Sequence, residues 1–397
     1  MAAWIGELGA VAEVEVLTRG GWRESFSAVK RRSGVGECDV EELRWWRGRE
    51  RERARRHPVN RAERVCDVID RIISGDVSGR GVVSILYEAA REKEAEPLTL
   101  RAAQLLSSVP AGRAVILATG WPHRPHVASD VAETDGPPGA AVLARTLSAL
   151  VGAIPVFVVE EVMVQAMEAV ARATGLRPVA REALLRVNEM AAPLRATCVL
   201  AMPVEMETGR QFARDLFESL TPAAVVVVEK GGLNGAGRVH TSRGHDTTSA
   251  IAKADLLVEE ARRRGVPTIA VGDGGNEVGM GVIKETVRSR VPYGERCQCP
   301  CQGGIAPEQV VDCLVVAAVS NWGAYGVGAA ISVLKGCDWP HDVRQEARVL
   351  EAAASAGLCD GPTGWVGPMV DALPLEVHQS IVTLLGEVVR KSRWTWG

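Results

Sequence analysis

The chain has 397 residues, a net charge of −3 and an isoelectric point near 6.2. That length accommodates one large α/β core with an appendage, and the charge offers no bulk attraction to nucleic acid or to an anionic membrane surface. Nine cysteines, an odd number in so long a chain, do not suit a small disulfide framework and predict a reducing, cytoplasmic setting. Glu7, Glu13 and Glu15 interrupt the first twenty residues, against a secretory signal.

Residues 1 to 60 form an Arg-rich arm, with Trp45 and Trp46 ahead of a run of arginines and glutamates; such a run reads as a solvated, partly disordered segment rather than a nucleic-acid contact. The domain expected over 61–397 begins with helical patterns at Val65 to Ser74, Val82 to Lys93 and Leu98 to Ser108. Buried strands are expected at Ala114 to Ala118, Ile154 to Val159, Ala196 to Met202, Ala223 to Val228, Val266 to Val271 and Leu314 to Val319. Helices should fill the intervals, including Gly139 to Val151, Gly209 to Leu220 and Thr247 to Arg264, and close the chain at Arg344 to Ala356 and Leu375 to Arg390. Cys313 to Leu334 lacks charge, but Ser320, Asn321, Gly323 and Tyr325 make it a strand, a turn and a helix rather than a membrane span. Apolar strands alternating with amphipathic helices predict a doubly wound, mostly parallel sheet with helices on both faces, a Rossmann-like three-layer α/β architecture.

Ligands in such sheets bind beyond the carboxyl ends of the strands. Four of the following loops are rich in glycine and polar residues. The first holds His123, His126, Glu133, Asp135 and Gly136; the second Glu229, Lys230, Asn234, His240, His245 and Asp246; the third Asp273, Gly274, Gly275, Asn276 and Glu277; the fourth Ser320 and Asn321. Their convergence predicts a pocket for a small carboxylate. The candidate acids and bases are Asp135, Glu229, His240, Asp246, Asp273 and Glu277. The candidate binding groups are Glu133, Gly136, Asn234, Gly274, Gly275, Asn276 and Asn321, with the glycine loop and its helix start as an anion cradle. Each has a plainer alternative: Asp135 as a helix cap, Glu229 as the ion-pair partner of Lys230, and the histidines as loop residues. Cys297, Cys299 and Cys301 form a C-x-C-x-C run short of the four ligands of a closed zinc site; Cys313 or a histidine would have to complete it.

The stretches ETDGPPG from Glu133, EKGGLNGAGRVH from Glu229 with Gly244-His245-Asp246, RGVPTIAVGDGGNEVGMG from Arg264 and SNWGAYG from Ser320 resemble the D-glutamate cyclase C-terminal domain family, in the same order over about residues 62 to 395. The resemblance implies a lyase converting D-glutamate to 5-oxo-D-proline and water. In principle that reaction needs no cofactor, while a divalent metal held by the carboxylates is an option. The alternatives are a small-anion-binding subunit without catalysis that partners a separate cyclase domain, or a hydrolase or dehydratase of another small carboxylate. A small-molecule substrate is expected, with no nucleic acid and no membrane partner; a homo-oligomer stays open.

Overall fold

The computed structural model describes residues 60–394, apart from 129, 185 and 187–193. The expectation for the Arg-rich arm lies outside the described residues, save for Asn60. That residue caps α1 (Arg61–Ile73), its side-chain oxygen accepting from Glu63 N at 2.9 Å. Helices α2 (Val83–Lys93) and α3 (Leu98–Ser107) precede the first strand.

Seven parallel strands form one sheet: β1 (Ala114–Thr119), β2 (Ile154–Val159), the two-residue β3 (Arg177–Pro178), β4 (Ala196–Ala201), β5 (Ala224–Val228), β6 (Thr268–Gly272) and β7 (Cys313–Val316). Every pairing among them is parallel. Strands β1, β5, β6 and β7 are buried along their whole length. Burial on both faces explains why they read as unbroken apolar runs rather than as alternation.

The intervening helices are α4 (Pro137–Thr146), which runs on through one π turn to Val151, α5 (Val164–Ala173), α6 (Met206–Leu220), α7 (Asp255–Arg263) and α8 (Lys284–Arg290). Then come α9 (Ser320–Lys335), α10 (Val343–Ser355) and α11 (Leu375–Ser392), with a small hairpin of β8 (Met369–Val370) and β9 (Leu373–Pro374) before the last. Helix α9 is the centre of one layer, packed by α1, α3, α4 and α11, while α6 and α7 pair with each other. The doubly wound α/β architecture is the one expected. One helix is shorter than its sequence pattern: α7 starts at Asp255, not Thr247. The preceding residues turn around Asp246, and the buried Asp255 carboxylate accepts from Leu233 N at 3.0 Å. The edge strand β3 and the β8–β9 hairpin were not expected, being too short to show any periodicity.

The strand order β3-β4-β2-β1-β5-β6-β7 puts the topological switch point between β1 and β5. From β1 the chain winds outward through β2 to the edge strand β3, steps back to β4 between them, then returns to place β5 on the other flank of β1 and winds away through β6 and β7. The loops leaving β1 and β5 therefore diverge, and the gap they leave at the carboxyl edge is where open α/β sheets bind ligands.

Candidate functional site

That gap is lined by carboxylates. Asp135 follows β1, Glu229 is the first residue beyond β5, and Asp273 the first beyond β6; one oxygen from each lies within 4.8 Å of the others. All three are buried. Asp371, from the turn between β8 and β9, approaches from another side, and Arg80 is the cation facing the group. Its Nη2 donates to Asp273 Oδ2 at 2.8 Å and to Ala318 O at 2.6 Å, and its Nη1 is 3.8 Å from Asp371 Oδ2.

Local structure fixes each side chain. Asp135 caps α9: Oδ2 accepts from Ser320 N at 2.9 Å and Oδ1 from Asn321 N at 2.8 Å. Asn321 returns the favour to α4, its Oδ1 accepting from Gly136 N at 3.0 Å and Gly139 N at 2.6 Å. Two helix starts thus satisfy each other's unpaired N–H groups. Gly136 has φ +99, and a Cβ there would fall 2.7 Å from Thr119 Oγ1 and 2.9 Å from Glu229 Cβ, so no other residue fits that turn. Glu229 carries a left-handed backbone (φ 46), as does Asp371 (φ 54). Such conformations cost of order 1–3 kcal/mol in non-glycine residues and concentrate at functional sites.

The electrostatics follow from crowding in a dry place. Burial pushes the Asp135 and Glu229 carboxyls well above their ordinary range, and the Asp273 carboxylate pushes both further. Asp371 moves the same way for the same two reasons. Glu277 is pushed up to about 7 by burial and Asp273, although three backbone N–H groups donate to it. Arg80 is held firmly protonated, chiefly by Asp273. A buried group with this excess of carboxyls over cations is stable only if it retains protons or binds a cation, either an ammonium or a divalent ion.

Other expected site residues are placed differently. Glu277 accepts from Asp273 N, Gly274 N and Gly275 N at 3.0, 2.7 and 2.8 Å, so the anion cradle expected of the glycine loop is filled by the chain's own side chain. The asparagine amides expected as binding groups donate to backbone instead: Asn234 to Gly304 O at 2.7 Å, Asn276 to His240 O at 2.8 Å and Asn321 to Thr134 O at 3.3 Å. Glu133 pairs with His123 at 2.7 Å. Asp246 accepts from Thr248 N and Oγ1 at 2.8 and 2.5 Å, outside the carboxylate group. Glu229 is not paired with Lys230; it accepts from Ser320 Oγ at 2.6 Å, while Lys230 reaches Glu160 at 2.5 Å and Gly120 O at 2.7 Å. His240 sits among the cysteine sulfurs, its Nε2 3.2 Å from Cys299 Sγ. Cys313 is buried in β7, remote from that run in role, with its thiol against Leu98 O at 3.5 Å.

Sequence reasoning missed Arg80 and Asp371. Arg80 left a trace in Ser78-Gly79-Arg80-Gly81, where both glycines have positive φ and Asp76 accepts from Arg80 N and Gly81 N at 3.0 and 2.6 Å. A loop built this tightly around one arginine presents it. Asp371 left no trace, because nothing local links the β8–β9 turn to the sheet edge.

Open parallel α/β sheets form a broad class of folds, and this one carries a buried carboxylate group at its switch point. Within that class, this chain belongs to the D-glutamate cyclase-like, C-terminal family, whose model matches residues 69–386. It is 26% identical over 307 residues to the Homo sapiens protein "D-glutamate cyclase, mitochondrial", an alignment covering 71% of this chain and 46% of that one. The chain thus spans about half the length of the curated relative it matches. Among the described residues no helix is long and apolar enough to cross a membrane.

Proposed function

We propose that the protein cyclises D-glutamate to 5-oxo-D-proline, with Asp135, Glu229 and Asp273 as the reacting carboxyls. The observation that carries this reading is their convergence, buried, from three separate loops at the switch point. The name of the human relative supplies the substrate. A substrate ammonium seated among these groups would supply the positive charge the cluster lacks, and Arg80 would attract a substrate carboxylate.

In the reaction the substrate nitrogen attacks its own side-chain carboxyl carbon. A C–N bond forms, a C–O bond breaks, and water departs. The nitrogen gives up two protons and the leaving oxygen gains two, so no external acid or base is consumed. In this reading Asp273, on the loop facing Glu229, accepts an ammonium proton. Glu229, pushed upward by burial and its neighbours, is suited to hold a proton near neutrality and deliver it to the departing oxygen. A divalent ion on the same three oxygens would polarise the carboxyl carbon instead of an ammonium occupying all of that space.

Purified protein incubated with D-glutamate should form 5-oxo-D-proline, followed by chiral chromatography with and without Mg²⁺ or Mn²⁺. Glu229→Gln should lower the rate by roughly 100-fold or more. Folded protein that forms no product under either condition overturns the proposal, and D-glutamate binding without turnover would favour a non-catalytic subunit.

A further inference from the structure

A second group of side chains stands apart from the carboxylates. His240, Cys297, Cys299 and Cys301 each place a ligand atom within 4.8 Å of the others. Cys297 Sγ is 3.6 Å from Cys299 Sγ and 3.3 Å from Cys301 Sγ, and Cys299 and Cys301 are 3.2 Å apart. The Nε2 of His240 caps this triangle at 3.2 and 3.6 Å from Cys299 and Cys301. These separations are too long for disulfides, which need about 2.05 Å, and all three cysteines are free. They approach the edge of a tetrahedron of thiolates around an ion with bonds of about 2.3 Å, roughly 3.8 Å.

The surroundings are those of a ligand shell. Gly303 N donates to Cys301 Sγ at 3.4 Å and Asn234 Nδ2 to the same sulfur at 3.7 Å, contacts that orient a thiolate and spread its charge. Asn234 holds the knuckle from beneath through Gly304 O. Cys297 and Cys299 are almost fully buried and Cys301 is partly accessible, a closed centre rather than an open catalytic one.

We propose that His240, Cys297, Cys299 and Cys301 bind one structural Zn²⁺. Soft thiolates in a four-ligand Cys₃His set select zinc over the harder divalent ions. Binding replaces three S–H protons with three Zn–S bonds and releases those protons to solvent, with no change of oxidation state. The ion would staple the loop after β5 to the loop before β7. That staple bears on the carboxylate site: His240 O accepts from Asn276 Nδ2 at 2.8 Å, and Gln298 N donates to Gly244 O at 2.9 Å. The β6 loop carrying Asp273 therefore leans on the metal-bound segment. The inference rests on this cluster alone and stands whether or not the cyclase reading holds.

The test is the metal content of the full chain, purified untagged under reducing conditions and measured by mass spectrometry. One zinc per chain is expected, falling about tenfold or more in Cys299→Ser and in His240→Ala, and unchanged in Asp273→Asn, which alters only the carboxylate group. Wild-type protein reconstituted with Co²⁺ should show thiolate charge-transfer absorption and intense tetrahedral visible bands. This readout needs no variant to fold. Zinc retained in both ligand variants, or a weak octahedral cobalt spectrum in wild type, overturns the assignment.

Discussion

Glu229 concentrates the physics of the site in one residue. It is buried, left-handed in φ, surrounded by Asp135, Asp273 and Glu277, and its carboxyl accepts from Ser320 Oγ. Raised carboxyls make the native state bind more protons than the unfolded chain between their unfolded and folded pKa values. For Glu277 that window runs from 4.5 to about 7. Stability from it is present below pH 4.5 and is lost as pH rises through about 7. Asp255, pushed up to about 6 by burial, adds the same sign. Glu260, held at about 2 chiefly by its hydrogen bond from Arg263, acts oppositely, but only as pH falls below 4.5. His240 and His378, held below 6.5 by burial, also act oppositely up to that pH, but the raised carboxyls of Asp70, Asp135, Glu229, Asp255, Glu277 and Asp371 outnumber them, so the melting temperature should decline as pH rises from 4.5 to 7. Glu229→Gln, by removing a buried carboxyl that must take up a proton to fold once the pH exceeds its unfolded value, should flatten that decline even as it removes the proposed activity. A scanning-fluorimetry series over pH would show it, and a wild-type melting temperature that climbs across the window would refute the charge reading.

Among elements, the joint between α4 and α9 sets the site's geometry. Asp135 lies at the start of one helix and caps the other, and Asn321 does the reverse. Asn321→Ala would leave Gly139 N without its acceptor in a buried place, costing about 1–3 kcal/mol, measurable as a shift in the urea midpoint at constant slope. This reciprocity was beyond sequence reading. Asp135 as a cap and Asn321 as a polar turn residue were each legible alone, but a partner 186 positions away leaves no local signal. The packing of α9 is as tight: a Cβ at Gly323 would stand 2.4 Å from Val271 Cγ1, so the helix rests directly on β6.

At the scale of the molecule, a buried ion pair ties three loops together. Lys230 Nζ meets both oxygens of Glu160 at 2.5 Å and Gly120 O at 2.7 Å, and Glu160 also accepts from Ala252 N at 2.7 Å. The loops after β1, β2 and β5 are thus locked at the switch point. Lys230→Met strands the Glu160 carboxylate in the interior and should cost about 3–5 kcal/mol, most of it recovered by adding Glu160→Gln; a calorimetric double-mutant cycle measures this, and additive losses would mean the two residues do not act as a pair. What the sequence by itself determined was the layer architecture and the loops that carry chemistry. Strands buried on both faces must be continuously apolar, and a chain turning at a strand's carboxyl end needs glycine and capping residues wherever it goes next. Only the tertiary structure decided which polar groups face one another. Sheet order brought Asp135, Glu229 and Asp273 together with Arg80, sent His240 to the cysteines rather than to the carboxylates, and turned Glu277 onto its own loop. Those outcomes depend on the order in which strands stand side by side, and side-chain chemistry along the chain carries no record of it.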